Sequence, residues 1–120
     1  MAYDPEFGDW VREQFAGLGP VEIKRMFGGA AVYANGLIFA LLDDGVVWLK
    51  ADETNAPLLV EAGARQFTFP TKDGQTMSMA YWSMPEPAMD DPDESVAWAR
   101  QSIEVALRKA AAKRPRKVKA

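Results

Sequence analysis

Apolar residues near the start of the chain recur on one helical face: Phe7, Trp10, Val11, Phe15 and Leu18 fall at i, i+3, i+4, i+8 and i+11. Asp4-Pro5 supplies an N-cap and a first helical residue, and Gly17, Gly19 and Pro20 supply the stop. From about Val21 the pattern becomes that of a strand. It is expected to bend at Gly28-Gly29 and run on to Tyr33, because glycine inside a strand pattern marks a bend, a bulge or close backbone approach. Asn35-Gly36 is the strongest hairpin signal, since both residues tolerate positive φ. Leu37 to Leu42 then forms a second strand, Asp43-Asp44-Gly45 turns it, and Val46 to Lys50 forms a third. These strands are close to continuously apolar, which predicts that both faces of the sheet are covered, one of them by a partner chain.

A second helix is expected from Thr54, as N-cap, to Ala62, with Pro57 in its first turn and Gly63 ending it. Gln66–Pro70 and Gln75–Ser83 read as two strands joined at Lys72-Asp73-Gly74. In the second of these, Met77, Met79 and Tyr81 share one face, while Ala80, Trp82 and Met84 share the other. Met84-Pro85-Glu86-Pro87 breaks the sheet. Asp91-Pro92-Asp93-Glu94 opens the last helix, with acidic charge at the positive end of its dipole. Its apolar stripe is Val96, Ala99, Ile103, Ala106 and Ala110, widened by Trp98 and Leu107. The expected fold is therefore a single α+β domain over residues 1–112, in the order α-β-β-β-α-β-β-α, with an antiparallel sheet packed against helices. Residues 113–120 form a basic tail without apolar periodicity, expected to be disordered.

Composition narrows the chemistry. Cysteine and histidine are both absent from the 120 residues. That removes disulfides, thiolate chemistry, the Ser-His and Cys-His nucleophile pairs and the common zinc sites. Met1-Ala2-Tyr3-Asp4-Pro5 has neither the basic start nor the apolar run of a secretory signal, and Leu37 to Leu42 is too short a run to cross a bilayer. A cytoplasmic protein that does not engage membranes is expected, with no catalytic residues, no metal and no cofactor.

Charge is unevenly spread. Residues 1–107 hold seven basic residues against all 17 acidic ones, a net of -10. The last 13 residues hold Arg108, Lys109, Lys113, Arg114, Arg116, Lys117 and Lys119, a net of +7. Any DNA contact is expected to be weak, independent of sequence and carried by those seven residues.

Several sharper readings give way to structural ones. Gly28-Gly29 lacks the following helix N-terminus and the Lys-Ser/Thr pair of a phosphate loop, so it reads as a bend. Asp90, Asp91, Asp93 and Glu94 lack the alternating ligands and central glycine of a calcium loop, so they read as helix capping. Trp48, Tyr81 and Trp82 could stack nucleic-acid bases, but the body is acidic and packing in the core or a dimer is the better reading. Lys50 reads as a surface lysine at a strand end rather than an anion contact. Arg114-Pro115-Arg116 is similar to minor-groove arms over three residues only.

An ordered set of residues resembles a known family. Arg25-Met26-Phe27-Gly28-Gly29 with Tyr33, Gly36 and Phe39-Ala40 forms one block, and Leu49-Lys50-Ala51-Asp52-Glu53 a second. Gly63, Phe67, Phe69 and Met77 to Tyr81 form a third; Pro85-Glu86, Asp91-Pro92-Asp93 and Trp98-Ala99 close the set. Over residues 4 to 112 this set resembles the N-terminal domain of the TfoX/Sxy competence-regulator family. Ser95 departs from it, standing where a large apolar residue is usual. The resemblance implies a fold of the secretion-chaperone-like kind, often found as dimers. It also implies a role in regulating genes for DNA uptake through a partner transcription factor of the cyclic-AMP receptor type. Nothing here corresponds to the second, helical domain of longer members, so a single-domain member is expected. Two functional classes stay open: a non-enzymatic regulatory module that binds protein, expected as a homodimer, and a small-molecule-binding domain or minor enzyme using the concave side of the sheet.

Overall fold

The computed structural model describes residues 4–26 and 29–113. Helix α1 (Pro5–Gln14) and a 3-10 turn (Ala16–Leu18) lead into strands β1 (Glu22–Met26), β2 (Gly29–Ala34), β3 (Leu37–Asp43) and β4 (Val46–Lys50). Helix α2 (Ala56–Glu61) precedes β5 (Gln66–Pro70) and β6 (Thr76–Ser83), and the chain closes with α3 (Glu86–Met89) and α4 (Pro92–Lys113). The strands form one antiparallel sheet in the order β1-β2-β3-β4-β6-β5. This is the expected single α+β domain.

The first expected strand is in fact two. Met26 pairs with Gly29 and Glu22 with Tyr33, so the chain reverses on itself where a bend was expected, and four strands precede α2. Phe27 and Gly28 lie outside the described residues. Gly29 is held by close approach: a Cβ there would sit 2.5 Å from the Leu42 carbonyl oxygen. The next two turns follow the sequence signals. Asn35 (φ 53°) and Gly36 (φ 81°) join β2 to β3, and Asp44 (φ 53°) and Gly45 (φ 76°) join β3 to β4. Consecutive positive φ gives the turn twist that suits paired strands.

Between them β3 carries a bulge. Tyr33 pairs with Ile38 and Val32 with Ala40, which leaves Phe39 unpaired in the ladder. The extra residue lets Phe39 and Ala40 both be buried, and Phe39 meets Phe15 edge-on, with ring centroids 5.6 Å apart. The core lies between this face and the helices, with Val11 and Phe15 from α1, Val32, Leu42, Val47 and Leu49 from the sheet, Leu59 from α2 and Ala99 from α4.

Helix ends follow local chemistry, with one exception. Asp4 Oδ1 accepts from the Glu6 N–H at 3.0 Å, and Asp91 Oδ1 accepts from the Asp93 and Glu94 N–H groups, both as expected. After α2, the Gly63 N–H donates to the Val60 carbonyl and Ala64 N–H to the Leu59 carbonyl, with Gly63 at φ +94°. That paired closure satisfies the last carbonyls of the helix. Thr54 is not the N-cap of α2. Its N–H and hydroxyl both donate to Asp52 Oδ1, and Asn55, the residue before the helix, ties the loop to β4 instead: Oδ1 accepts from the Asp52 N–H and Nδ2 donates to the Lys50 carbonyl.

Two features around α4 differ from expectation. The segment read as a simple break folds into α3, because Pro87 stands in its first turn, where a missing N–H costs little. The face α4 lays over β3 and β4 is made of small residues, Ser95, Ala99, Ser102 and Ala106, with Val105 beside them. Val96, Trp98, Ile103 and Ala110 are only partly buried, and Leu107 is 53% exposed. Small side chains let the helix approach the sheet closely, so the seam turns toward the serines. No helix among the described residues is long and apolar enough to cross a membrane.

Candidate interaction surface

The helices cover one face of the sheet. On the other, strand alternation and pairing bring together residues from all parts of the chain. Lys24 stands opposite Ala31, Leu41 opposite Trp48, and Lys50 opposite Tyr81. A groove of about 510 Å³ runs over this face, lined by Met26, Ile38, Leu41, Phe67, Met79 and Tyr81, with Gly29 and Asp43 beside Met26. Met26 comes from the strand at one edge of the sheet and Phe67 from the strand at the other, so the sheet curls around the groove. Trp48 adjoins it on the same face, its ring centroid 4.8 Å from that of Phe67.

Cations stand over aromatic rings on this face. Lys24 Nζ lies 5.0 Å from the Tyr33 centroid, Lys50 Nζ 5.9 Å from that of Tyr81, and the Arg65 guanidinium carbon 5.2 Å from that of Trp48. Such contacts hold the charged heads beside apolar surface rather than out in bulk water. Burial pushes the Tyr81 phenol up to about 12, and the electrostatic influence of neighbouring Tyr33 adds to the rise. The surface is thus an apolar floor with one carboxylate, Asp43, in its lining and cations set over neighbouring aromatic rings, on a body whose net charge is negative.

Away from the groove, a polar cluster ties α4 to the loop after β4. Arg108 donates to Asp52 Oδ2 at 3.1 Å and to the Thr54 hydroxyl at 2.8 Å. The Thr54 hydroxyl bond above all, with the Thr54 N–H and Arg108 adding to it against the opposing effect of burial, holds the Asp52 carboxyl at about 2, below its ordinary 3.8.

The residues singled out from the sequence fall in different places. Met26 and Gly29 both line the groove, while Arg25 is exposed on β1 opposite Ala30. Trp48 is buried, Tyr81 and Trp82 are half-buried, and Lys50 is half-buried over Tyr81 rather than simply exposed at a strand end. Arg108 is engaged by Asp52, and Lys109 is exposed on α4. The Lys113 side chain and Arg114, Arg116, Lys117 and Lys119 lie outside what is described. Asp91 serves as a helix cap, and no group of three or more acidic residues among the described residues is placed to hold a metal. Sequence reasoning did not assemble Ile38, Leu41, Phe67, Met79 and Tyr81 into one site. The shared face of Met79 and Tyr81 was the available signal.

A family model described as the TfoX N-terminal domain matches residues 13–106. The chain is also 26% identical over 97 residues to Protein Sxy of Escherichia coli strain K12, a match covering 81% of this chain and 46% of that protein. The chain therefore spans less than half the length of the curated relative it matches.

Proposed function

Because the chain belongs to the TfoX N-terminal domain family, we propose that it is a non-enzymatic, competence-regulator-like module that acts by binding a partner transcription factor of the cyclic-AMP receptor type. The observation that carries this reading is the uncovered apolar groove lined by Met26, Ile38, Leu41, Phe67, Met79 and Tyr81. A concave apolar groove on the face of the sheet that the helices leave uncovered is a place for another molecule to bind. The groove's lining residues are apolar apart from Asp43 and Tyr81.

The test is affinity capture with the tagged chain from cells grown under conditions that induce DNA uptake. Recovery of such a transcription factor by the wild-type chain, and its loss with Met79→Glu, supports the proposal. Capture that is indifferent to Met79→Glu, or no transcription factor at all, counts against it. A second reading, a small-molecule-binding domain, draws on the groove volume, which falls within the roughly 300–1,000 Å³ of ligand pockets. A small molecule retained in native mass spectra of the purified chain would favour that reading.

A further inference from the structure

We propose that the groove receives an amphipathic helix whose apolar stripe is flanked by acidic residues. The proposal rests on the protein-binding reading above and adds the chemistry of the contact.

Three observations lead to it. First, the floor is suited to a helix. Met26 and Met79 lie among Ile38, Leu41, Phe67 and Tyr81, and methionine beside aromatic rings makes an adaptable apolar trough that anchors at i, i+3, i+4 and i+7 can fill. Second, apart from Asp43 in the lining, the charges set over the aromatic rings of this face are cationic. Lys24 and Arg65 are held against Tyr33 and Trp48, and Lys50 stands over Tyr81, so carboxylates flanking the stripe would meet them as the helix settles. Third, the edges of the sheet do not invite an added strand. Edge strand β1 carries Glu22, Lys24 and Arg25 among its five residues, and edge strand β5 ends at Pro70. Charge and proline of this kind discourage pairing at an edge, and leave the face as the receptive surface.

Asp43 gives the groove a direction. It lies beside Met26 and Gly29, whereas Lys50 lies beside Tyr81. A helix with its N-terminus toward Asp43 and its C-terminus toward Lys50 would set each end of its dipole against the opposite charge.

The test uses two synthetic peptides about 14 residues long with leucines at i, i+3, i+4 and i+7, identical except that one carries glutamates on both flanks and the other lysines. Binding to the full chain is followed by calorimetry at low and at physiological salt, and the contact is mapped by amide shifts in the wild-type protein. The expected result is a dissociation constant of about 100 μM or tighter for the glutamate peptide, roughly tenfold weaker binding for the lysine peptide, and weakening with salt. Amide shifts should centre on β3 and β6, and Lys24→Glu should narrow the difference between the peptides. Lys24 is exposed, so that variant folds even where a groove variant does not. Equal binding of the two peptides, no binding of either, shifts centred elsewhere, or sedimentation showing a dimer that Met79→Glu dissociates would overturn the proposal. Peptide binding without capture of a transcription factor would leave this inference standing and remove the function proposed above.

Discussion

Gln14 and Ser95 meet in the core, 81 positions apart in sequence, with Gln14 Nε2 donating to Ser95 Oγ at 2.9 Å. Gln14 also donates to the Ala88 and Met89 carbonyls, and Ser95 Oγ donates to the Ala88 carbonyl at 2.6 Å. One buried network thus fastens α1, α3 and α4 together. It also explains why Ser95 stands where the resemblance leads one to expect a large apolar residue: the space is filled by a polar junction, not by an apolar side chain.

Replacing Ser95 should therefore destabilise the fold in a size-dependent way. Ser95→Ala removes a partner from two buried groups and should cost about 1–2 kcal/mol. Ser95→Leu adds overpacking, typically about 1–3 kcal/mol, to the same loss. Urea unfolding of both variants checks the order. A leucine variant as stable as wild type would show that the junction is dispensable.

Gly29→Ala and Gly29→Val should both destabilise strongly, by at least about 2 kcal/mol for valine, because the added Cβ enters the space of the Leu42 carbonyl oxygen. The cause is close approach between β2 and β3 rather than a bend within one strand. Thermal melts measure it, and a drop in midpoint of several degrees or more is expected.

The Asp52 cluster should make part of the stability sensitive to acid. The Thr54 hydroxyl does most to hold the Asp52 carboxyl at about 2; burial partly opposes it, and the Thr54 N–H and Arg108 add to it. Between that value and the ordinary 3.8 the unfolded chain binds more protons than the folded one. The contribution is therefore complete above about pH 4 and is lost as pH falls through about 2. Arg108 is half-exposed, so the ion pair itself is worth about 0.5–1 kcal/mol. Denaturation of wild type and Asp52→Asn from pH 2 to 6 should show a gap that closes on the acid side. A gap that widens toward pH 2 would refute the assignment.

Ser102 is fully buried on α4, and its hydroxyl has no hydrogen-bond partner among the described residues. Ser102→Ala should leave the packing intact and raise stability by about 0.5–1.5 kcal/mol. A clear loss of stability in urea would reveal a partner for the hydroxyl.

Weak DNA contact remains a proposal for the end of the chain. Arg108 is occupied by Asp52, which leaves six candidate cations: Lys109, Lys113, Arg114, Arg116, Lys117 and Lys119. If all six met phosphates, log K would fall against log salt with a slope of about -5. Repulsion from the acidic body should make the measured slope shallower, with a dissociation constant no tighter than about 10⁻⁴–10⁻⁶ M at physiological salt. Deleting residues 113–120 should nearly abolish binding. Equal binding by the truncated chain, or a strong preference between two unrelated duplexes, would place DNA recognition in the folded body.

By itself the sequence determined what depends on neighbours along the chain. Asp4 and Asp91 cap helices, Asn35-Gly36 and Asp44-Gly45 turn strands, and Gly63 ends α2, because each involves φ preferences or hydrogen bonds within a few residues. Local signals failed where long-range contact decided the outcome. Gly29 reads as a bend until its approach to Leu42 is known, and the stripe on α4 reads as Val96 and Ile103 until Gln14 and the sheet select Ser95 and Ser102. Only the tertiary structure made the groove. Its walls come from Met26 at one edge of the sheet and from Phe67 and Met79 near the other, and they face each other because β6 inserts between β4 and β5 and the sheet curls. Strand alternation fixes which side of its own strand each residue takes, but the order and curvature of the strands, set by packing against the helices, decide which of them meet.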